Sequence, residues 1–267
     1  SGFSELGGEE GRTAEERMRS LARSGGFRIL GPNCMGVYSS ASKLAPLPFL
    51  PKNPGEIALL SQSGSIVNLF LKACGEKKLF FRHAVSYGNS CDIDLPELLS
   101  CMMGMNDVGL VGCYCEGADP KKLGPVLRQS AASKPLIMWK VGRTDAGMRA
   151  ASSHTGAVTG SSDLWSSMFR QHGVIEVSDI EEMIDTTMAF SFLEPTGQGR
   201  VVIMSSPGGP AVSAADAAAE SGLRMASLEG ATERCLRKFL PATGVSVRNP
   251  VDVGLGAVFD LRLYFDA

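Results

Sequence analysis

The sequence predicts an α/β protein built from doubly wound parallel sheets. Three observations carry this. Short apolar runs alternate with segments of helical periodicity along most of the chain. Several of these runs end in small polar residues where the next helix begins. Glycine is abundant, 31 of 267 residues, without a collagen-like period, which suits many tight strand-to-helix turns.

The elements follow in order. GEIALLSQSG (55–64) is an apolar run ending in small polar residues, and SIVNLFLKACGEK after it has helical spacing. HAVSYGN predicts a short strand, and DLPELLSCMMG a helix starting near Asp94. VGLVGCYCEG predicts a strand, DPKKLGPVLRQSAAS a helix, and KPLIMWKVG a strand. The Gly/Ser/Ala-rich stretch 142–161 predicts a long loop. After it come the helix DLWSSMFRQHG, the short strand VIEVSD and the helix IEEMIDTTMAFSFL. GRVVIMSSPGG repeats the opening strand and turn, and PAVSAADAAAESG repeats the helix. LRMAS, a helix around ATERCLRKFL, and NPVDVG complete the order. Repeated βα units require a parallel sheet covered on both faces.

Two connectors divide the chain. Residues 44–55, LAPLPFLPKNPG, hold Pro46, Pro48, Pro51 and Pro54, which exclude a helix and read as an extended linker. EPTGQG at 194–199 separates a helical stretch from a strand. The opening lacks a domain's first strand, and the last piece is too short for a complete doubly wound domain. The chain therefore reads as a fragment, a proteolysed product or one piece of a larger enzyme.

Composition narrows the function. Hydrophobic residues at 44% and charged residues at 20% supply a packed core and argue against global disorder. Lys+Arg 26 against Asp+Glu 28 gives −2, which leaves no electrostatic footprint for nucleic acid or an anionic membrane. No apolar run approaches the roughly 20 residues of a membrane helix. SGFSELGGEEGR has neither the basic start nor the apolar stretch of a secretory signal. The seven cysteines are odd in number, scattered and without CxxC, which points away from disulfides or zinc and towards a reducing, cytoplasmic setting. Cys113 and Cys115, two apart in an apolar run, are expected on one face of a buried strand.

Two strand-to-helix turns share one design. Ser61, Gln62, Ser63, Gly64 and Ser65 sit at the first, and Ser205, Ser206, Gly208 and Gly209 at the second. A helix N-terminus offers free N–H groups and partial positive charge, and small residues let an oxyanion approach. One such turn alone is equally an ordinary N-cap. Two matching turns could hold one tetrahedral phosphate from both sides.

His154 lies among Ala, Ser, Thr and Gly with almost no bulky neighbour. It reads as a nucleophile accepting a phosphoryl group, a general base, or a plain surface-loop histidine. No second His or Cys stands at ligand spacing, so a metal role is the weakest reading. Glu116 ends the strand GCYC, where the functional crevice of a doubly wound sheet lies. Its carboxylate either steadies one ring nitrogen of His154 or is a solvated turn residue. His172, beside a glycine, reads as a helix-end residue, while His83 and Asp252 acquire no role.

Together these pieces resemble the NDP-forming acyl-CoA synthetase superfamily, which includes succinyl-CoA synthetase α subunits and ADP-forming acetate–CoA ligases. The matching segments are SGFSE, GPNCMG (31–36), SQSGS (61–65), EG (116–117), KVGRTDAGMRAASSHTGAVTG (140–160), SSPGGP (205–210) and NPVDV (249–253). The resemblance implies a phosphohistidine at His154, steadied by Glu116. It implies phosphate held by Ser61, Gln62, Ser63, Gly64, Ser206, Gly208 and Gly209. Asn33 and Cys34 would face CoA or its acyl group, and Arg143, Ser153, Thr155 and Gly156 would belong to the phosphohistidine loop. Residues 1–52 would be the end of a Rossmann-like CoA-binding domain plus linker. Residues 53–195 would be a flavodoxin-like ligase domain, and 197–267 the start of a second. The implied reaction interconverts acyl-CoA, phosphate and ADP with carboxylic acid, CoA and ATP. The nucleotide and Mg²⁺ would sit on an ATP-grasp domain or subunit, and an oligomer is expected. No metal ligand is implied on this chain.

Three other readings compete. A regulatory acyl-CoA-binding module would not need the intact SSHTGA. A lyase that uses CoA ligation as its first step would differ only in its acyl pocket. A serine hydrolase with Ser63 as nucleophile would want G-x-S-x-G, but this turn reads S-Q-S-G-S.

Overall fold

The computed structural model describes residues 2–6, 8–130, 133–155, 161–194 and 199–255. The chain forms two compact units, Ser1–Leu193 and Glu194–Ala267. In the first unit α1 (Glu9–Gly25) leads to strand β1 (Gly36–Ser39). There follow β2 (Ile57–Ser61), α2 (Gly64–Glu76), β3 (Phe81–Ser86), α3 (Leu95–Gly104), β4 (Leu110–Cys115), α4 (Pro120–Ser130) and β5 (Leu136–Lys140). α5 (Asp145–Thr155), α6 (Ser162–Gln171), β6 (Ile175–Val177) and α7 (Ile180–Phe192) complete it.

The six strands make one sheet in the order β1-β3-β2-β4-β5-β6. All neighbours are parallel except β1, which runs antiparallel along β3 from Gly36↔Ser86 to Ser39↔His83. The strand order reverses direction at β2, so β2 and β4 flank the switch point of the sheet.

Side-chain alternation explains why helices cover both faces. All five residues of β2 are buried. Ala58 and Leu60 join one core with Leu95 and Leu99 of α3, Leu123 and Leu127 of α4, and Trp165 and Phe169 of α6. Ile57 and Leu59 join the other, with Val67, Phe70 and Leu71 of α2 and Met183 and Ile184 of α7. A strand apolar on both faces needs a helical layer on each, which is the doubly wound arrangement the sequence predicts. Cys113 and Cys115 share one face, as their spacing requires.

Helix starts are fixed by side chains. Asp94 caps α3 by accepting from the Glu97 N–H at 3.2 Å, and Lys122 donates to its second oxygen at 2.8 Å. Asp179 caps α7 by accepting from the Glu182 N–H at 2.8 Å. His172 is the C-cap of α6, the helix-end position its neighbouring glycine suggests.

Three features differ from the sequence reading. The stretch 142–161 is not a loop throughout, because α5 occupies Asp145–Thr155. Thr144 caps it, its Oγ1 accepting from the Gly147 N–H at 3.1 Å, and the alanines then propagate a helix. The histidine position 154 is therefore helical backbone, not loop. Secondly, β1 joins the same sheet as β2 and β3, so residues on both sides of the Pro-rich stretch share one unit. Thirdly, the second unit's expected opening strand is split. β7 (Arg200–Val201) pairs with β9 (Arg224–Met225), while β8 (Met204–Ser205) pairs with β10 (Val251–Asp252). Between the halves Asn249 Oδ1 accepts from the Ile203 N–H at 2.9 Å and interrupts the ladder. α8 (Gly208–Glu220) and α9 (Gly230–Phe239) complete that unit around Leu236, Leu240, Val247, Val251 and Val253.

Leu59 has no exposed surface. Leu59→Ala should lower unfolding stability by about 2–5 kcal/mol, the range for a buried leucine lost from a packed core. Asp94→Ala, which removes a cap, should cost only about 1 kcal/mol. Chemical denaturation of both variants checks the contrast.

Candidate functional site

The carboxyl ends of β2 and β4 diverge at the switch point, and the turns that follow them carry SQSG and EG. Ser63 is the N-cap of α2. Its Oγ accepts from the Ile66 N–H at 3.5 Å and pairs with Ser65 Oγ at 2.9 Å. Ser61 Oγ turns inward, donating to the Ser63 carbonyl at 2.7 Å and accepting from the Ser63 N–H at 3.1 Å. The Gly64 and Ser65 N–H groups have no protein acceptor among the described residues. This is an uncovered helix N-terminus with two hydroxyls beside it.

Glu116 is buried, 3% exposed, and so is not the solvated turn carboxylate of the alternative reading. Its peptide is held at both ends. Gln62 Oε1 accepts from the N–H of Glu116 at 2.9 Å and of Gly117 at 3.2 Å. Both partners are donors, so the Gln62 carboxamide can be oriented only one way. Lys140 Nζ donates to the Glu116 carbonyl at 2.8 Å and also to the Val141 carbonyl. Lys140 is buried to 2% exposure and lies 5.2 Å above the Trp165 ring. Burial pulls its amine below the usual lysine range. Tyr114 Oη donates to Glu116 Oε1 at 3.5 Å, and its ring meets Trp139 edge-on at 4.9 Å. Burial, with Glu116 adding to it, pushes the Tyr114 phenol above its ordinary pKa.

Two clefts open on either side of this point. The first, about 470 Å³, is lined by Ser63, Ser65, Tyr114, Glu116 and, from α5, Gly147, Ala150 and Ala151. The α2 terminus with its free Gly64 and Ser65 N–H groups, the buried carboxylate and the helix that runs to position 154 thus meet in one place. The second, about 630 Å³, is lined by Gln62, Asn89 and Gly117, with Arg12, Glu15, Glu16 and Arg19 of α1. Those four sit at i, i+3, i+4 and i+7, one face of the helix. Within this cleft Asn89 Nδ2 donates to Glu5 Oε2 at 2.6 Å and to Glu15 Oε1 at 2.7 Å, and Ser4 Oγ donates to Glu15 at 2.7 Å.

Asn33 and Cys34 are tied to the same loop, though neither lines either cleft. The Asn89 N–H donates to the Pro32 carbonyl at 3.0 Å, and Asn33 Nδ2 reaches Asn89 Oδ1 at 3.4 Å. Gly88, at φ 54°, makes this contact possible, since a Cβ there would stand 2.2 Å from the Pro32 oxygen. The Cys34 thiol donates to the Leu30 carbonyl at 3.6 Å, and burial raises its pKa, so it is no ready thiolate. Arg143 is exposed and reaches the Ser178 carbonyl at 3.5 Å. Ser153, His154 and Thr155 are placed as helix backbone, and Gly156 lies outside the described residues.

In the second unit α8 begins at Gly208 after Pro207, with no side-chain cap. Ser205 Oγ donates to the Pro207 carbonyl at 3.0 Å and Ser206 Oγ to the Gly254 carbonyl at 2.6 Å. Asp252, which had no role in the sequence reading, packs against this terminus. A Cβ on Gly208 would lie 2.5 Å from its Oδ2, so a larger residue there would have to push the Asp252 carboxylate aside. Gly209 follows in the first turn of the helix.

Sequence reasoning missed Lys140, Asn89 and the polar face of α1. Only the last left a signal, its helical charge spacing. Among the described residues no three His, Cys, Asp or Glu side chains form a metal site. No described helix is long and apolar enough to cross a membrane.

Comparison with known proteins places this geometry. Residues 54–190 match the succinyl-CoA ligase-like flavodoxin domain. The chain is 35% identical over 255 residues to the α subunit of ADP-forming acetate–CoA ligase II of Pyrococcus furiosus, covering 95% of this chain and 55% of that one. It is 38% identical over 258 residues to the α subunit of ligase I of the same organism, covering 95% and 54%. Its fold matches the dinucleotide-forming acetyl-coenzyme A synthetase 1 of Ca. Korarchaeum cryptofilum, a structure with phosphate and ADP, at a TM-score of 0.84 and 32% identity, covering 95% and 55%. The chain spans about half the length of these relatives. The family expected from SQSGS, EG and SSHTGA is thus established, and the flavodoxin-like character of the sheet with it: the chain belongs to the succinyl-CoA ligase-like flavodoxin family.

Proposed function

We propose that this chain is the α-like part of an NDP-forming acid–CoA ligase and carries its phosphohistidine at His154. The observation that carries the reading is the first cleft. It joins an uncovered helix N-terminus, a buried carboxylate and α5, whose cleft-lining positions 147, 150 and 151 continue by helical spacing to 154.

Acyl-CoA and phosphate give an acyl phosphate and free CoA. A nitrogen of His154 then takes the phosphoryl group as the acyl carboxylate leaves, and passes it to ADP. Ser61, Gln62, Ser63 and Gly64 form the turn that holds the phosphate through the α2 N-terminus. Ser206, Gly208 and Gly209 offer the second such turn. Fixed N–H dipoles stabilise the charge of the phosphoryl group as it moves. Glu116 accepts from the other ring nitrogen of His154, which sets its tautomer and makes the phosphorylated nitrogen the better nucleophile. Arg143, Ser153, Thr155 and Gly156 flank it. Residues 1–52, with Asn33 and Cys34, are the end of a CoA-binding domain whose β1 adds to the edge of the ligase sheet, 53–195 are the ligase domain, and 197–267 the start of a second. ATP or ADP and Mg²⁺ bind an ATP-grasp domain or subunit that completes the enzyme, in the cytoplasm and as an oligomer. Relatives named as acid–CoA ligases favour this over a regulatory module or a lyase.

With the complete protein, Mg²⁺ and γ-labelled ATP, an acid-labile, base-stable label should form on His154 and vanish in His154→Asn. CoA plus the cognate carboxylic acid should discharge it. No label despite nucleotide binding would sink the reading. Glu116→Gln should slow labelling by about 10²–10³-fold, the scale for losing a group that assists proton placement. Stopped-quench kinetics measures the loss, and a rate within about twofold of wild type would remove Glu116 from the mechanism.

A further inference from the structure

We propose that Gln62 and Lys140 are positioning residues that clamp the Glu116 peptide from both ends, and that Gln62 acts through its acceptor oxygen on Glu116 instead of through its amide donors on phosphate. The inference rests on the preceding reading only for the roles of Glu116 and His154.

The geometry carries it. Gln62 follows Ser61 at the end of β2, and Glu116 follows Cys115 at the end of β4, the neighbouring strand. Beyond Ser61↔Tyr114 the ladder stops and the two chains part. The Glu116 N–H would there lose its strand partner. Gln62 Oε1 supplies a substitute acceptor and takes the Gly117 N–H as well. The side chain thereby bridges the crevice at the point where backbone pairing ends. On the far side Lys140, the last residue of β5, donates to the Glu116 carbonyl. Both clamp residues are at most 5% exposed. With N–H and C=O both fixed, the Cα–Cβ bond of Glu116 has one direction, and that direction lines the α5 cleft.

The same bonds remove Gln62 from the phosphate shell. Its oxygen is committed, and Gln62 lines the α1 cleft, while Ser63 and Ser65 line the other. A carboxylate at position 62 would keep the acceptor and lose the donors. A methionine would fill the volume and lose both.

Amide hydrogen exchange of the full chain by NMR tests the clamp without any catalytic assumption. In Gln62→Met the Glu116 and Gly117 amides should exchange about tenfold faster or more, while those of Val111 and Cys113 in β4 stay unchanged. In Gln62→Glu both should remain protected. Unchanged exchange in Gln62→Met overturns the clamp, and faster exchange throughout β4 marks general unfolding and overturns it as well. The functional arm uses the complete protein. Labelling of His154 should slow about tenfold or more in Gln62→Met and Lys140→Met, with KM for phosphate within about twofold. If Gln62→Met raises KM for phosphate about tenfold or more and leaves the labelling rate unchanged, Gln62 is a phosphate ligand and the inference fails. A wild-type protein that takes no label refutes the reading of the previous section, while the exchange arm still decides the clamp.

Discussion

The structure depends on one constraint: β2 is apolar on both faces. Ala58 and Leu60 point one way, Ile57 and Leu59 the other, and none can face water. Burying each of the larger ones, Ile57, Leu59 and Leu60, is worth about 1.5–3 kcal/mol, so both faces must carry helices. Parallel neighbours reached by helical crossovers are the solution, and covering two faces from one central strand forces the crossovers to opposite sides. The strand order then reverses beside β2, and the connections after β2 and β4 part company. The crevice that holds Ser63 and Glu116 is a consequence of that hydrophobic pattern.

A crevice at strand ends creates a hydrogen-bonding problem. Peptide groups that leave a ladder while still buried need other partners. Around Glu116 these partners are side chains, Gln62 and Lys140, each able to reach where backbone cannot. Lys140 illustrates the cost. A buried ammonium is strongly disfavoured, and its pKa falls accordingly. Two carbonyl acceptors and the face of Trp165 offset that penalty. At α8 the solution differs, since Ser206 spends its hydroxyl on the Gly254 carbonyl and Asp252 packs against Gly208. The two turns look alike in sequence, yet their local chemistry is distinct.

Much of this was legible in the sequence. Strands β2, β4 and β5 announce themselves as apolar runs, and their helices by spacing and by Asp caps. Ser63 at a helix start and Glu116 at a strand end follow from motif and period alone. Other features were hidden for physical reasons. α5 reads as loop because small residues carry no hydrophobic period, yet alanine has the strongest intrinsic helix propensity. β1 is only four residues, and antiparallel pairing with β3 is a tertiary choice that no local pattern encodes. The split of β7 from β8 is imposed by Asn249, 46 positions away from Ile203. Lys140 reads as the polar end of a strand, and only the fold shows that its amine turns inward.

The contrast between α5 and the rest of the site bears on how phosphoryl transfer would proceed. α2 is anchored by Val67, Phe70 and Leu71, all 1% exposed or less. From Asp145 to Ala151, by comparison, Ala151 alone of α5 is buried. Displacing α2 would expose several large side chains at about 1.5–3 kcal/mol each, whereas from Asp145 to Ala151 the one fully buried side chain is an alanine methyl, worth about 0.8 kcal/mol. A histidine that must meet a phosphate at one centre and a nucleotide at another needs such a support. The carboxylate that receives it needs the opposite, a peptide that does not move. On the proposed mechanism the sequence would meet both demands through side-chain size: small residues along the helix that carries His154, and a committed amide and amine beneath Glu116.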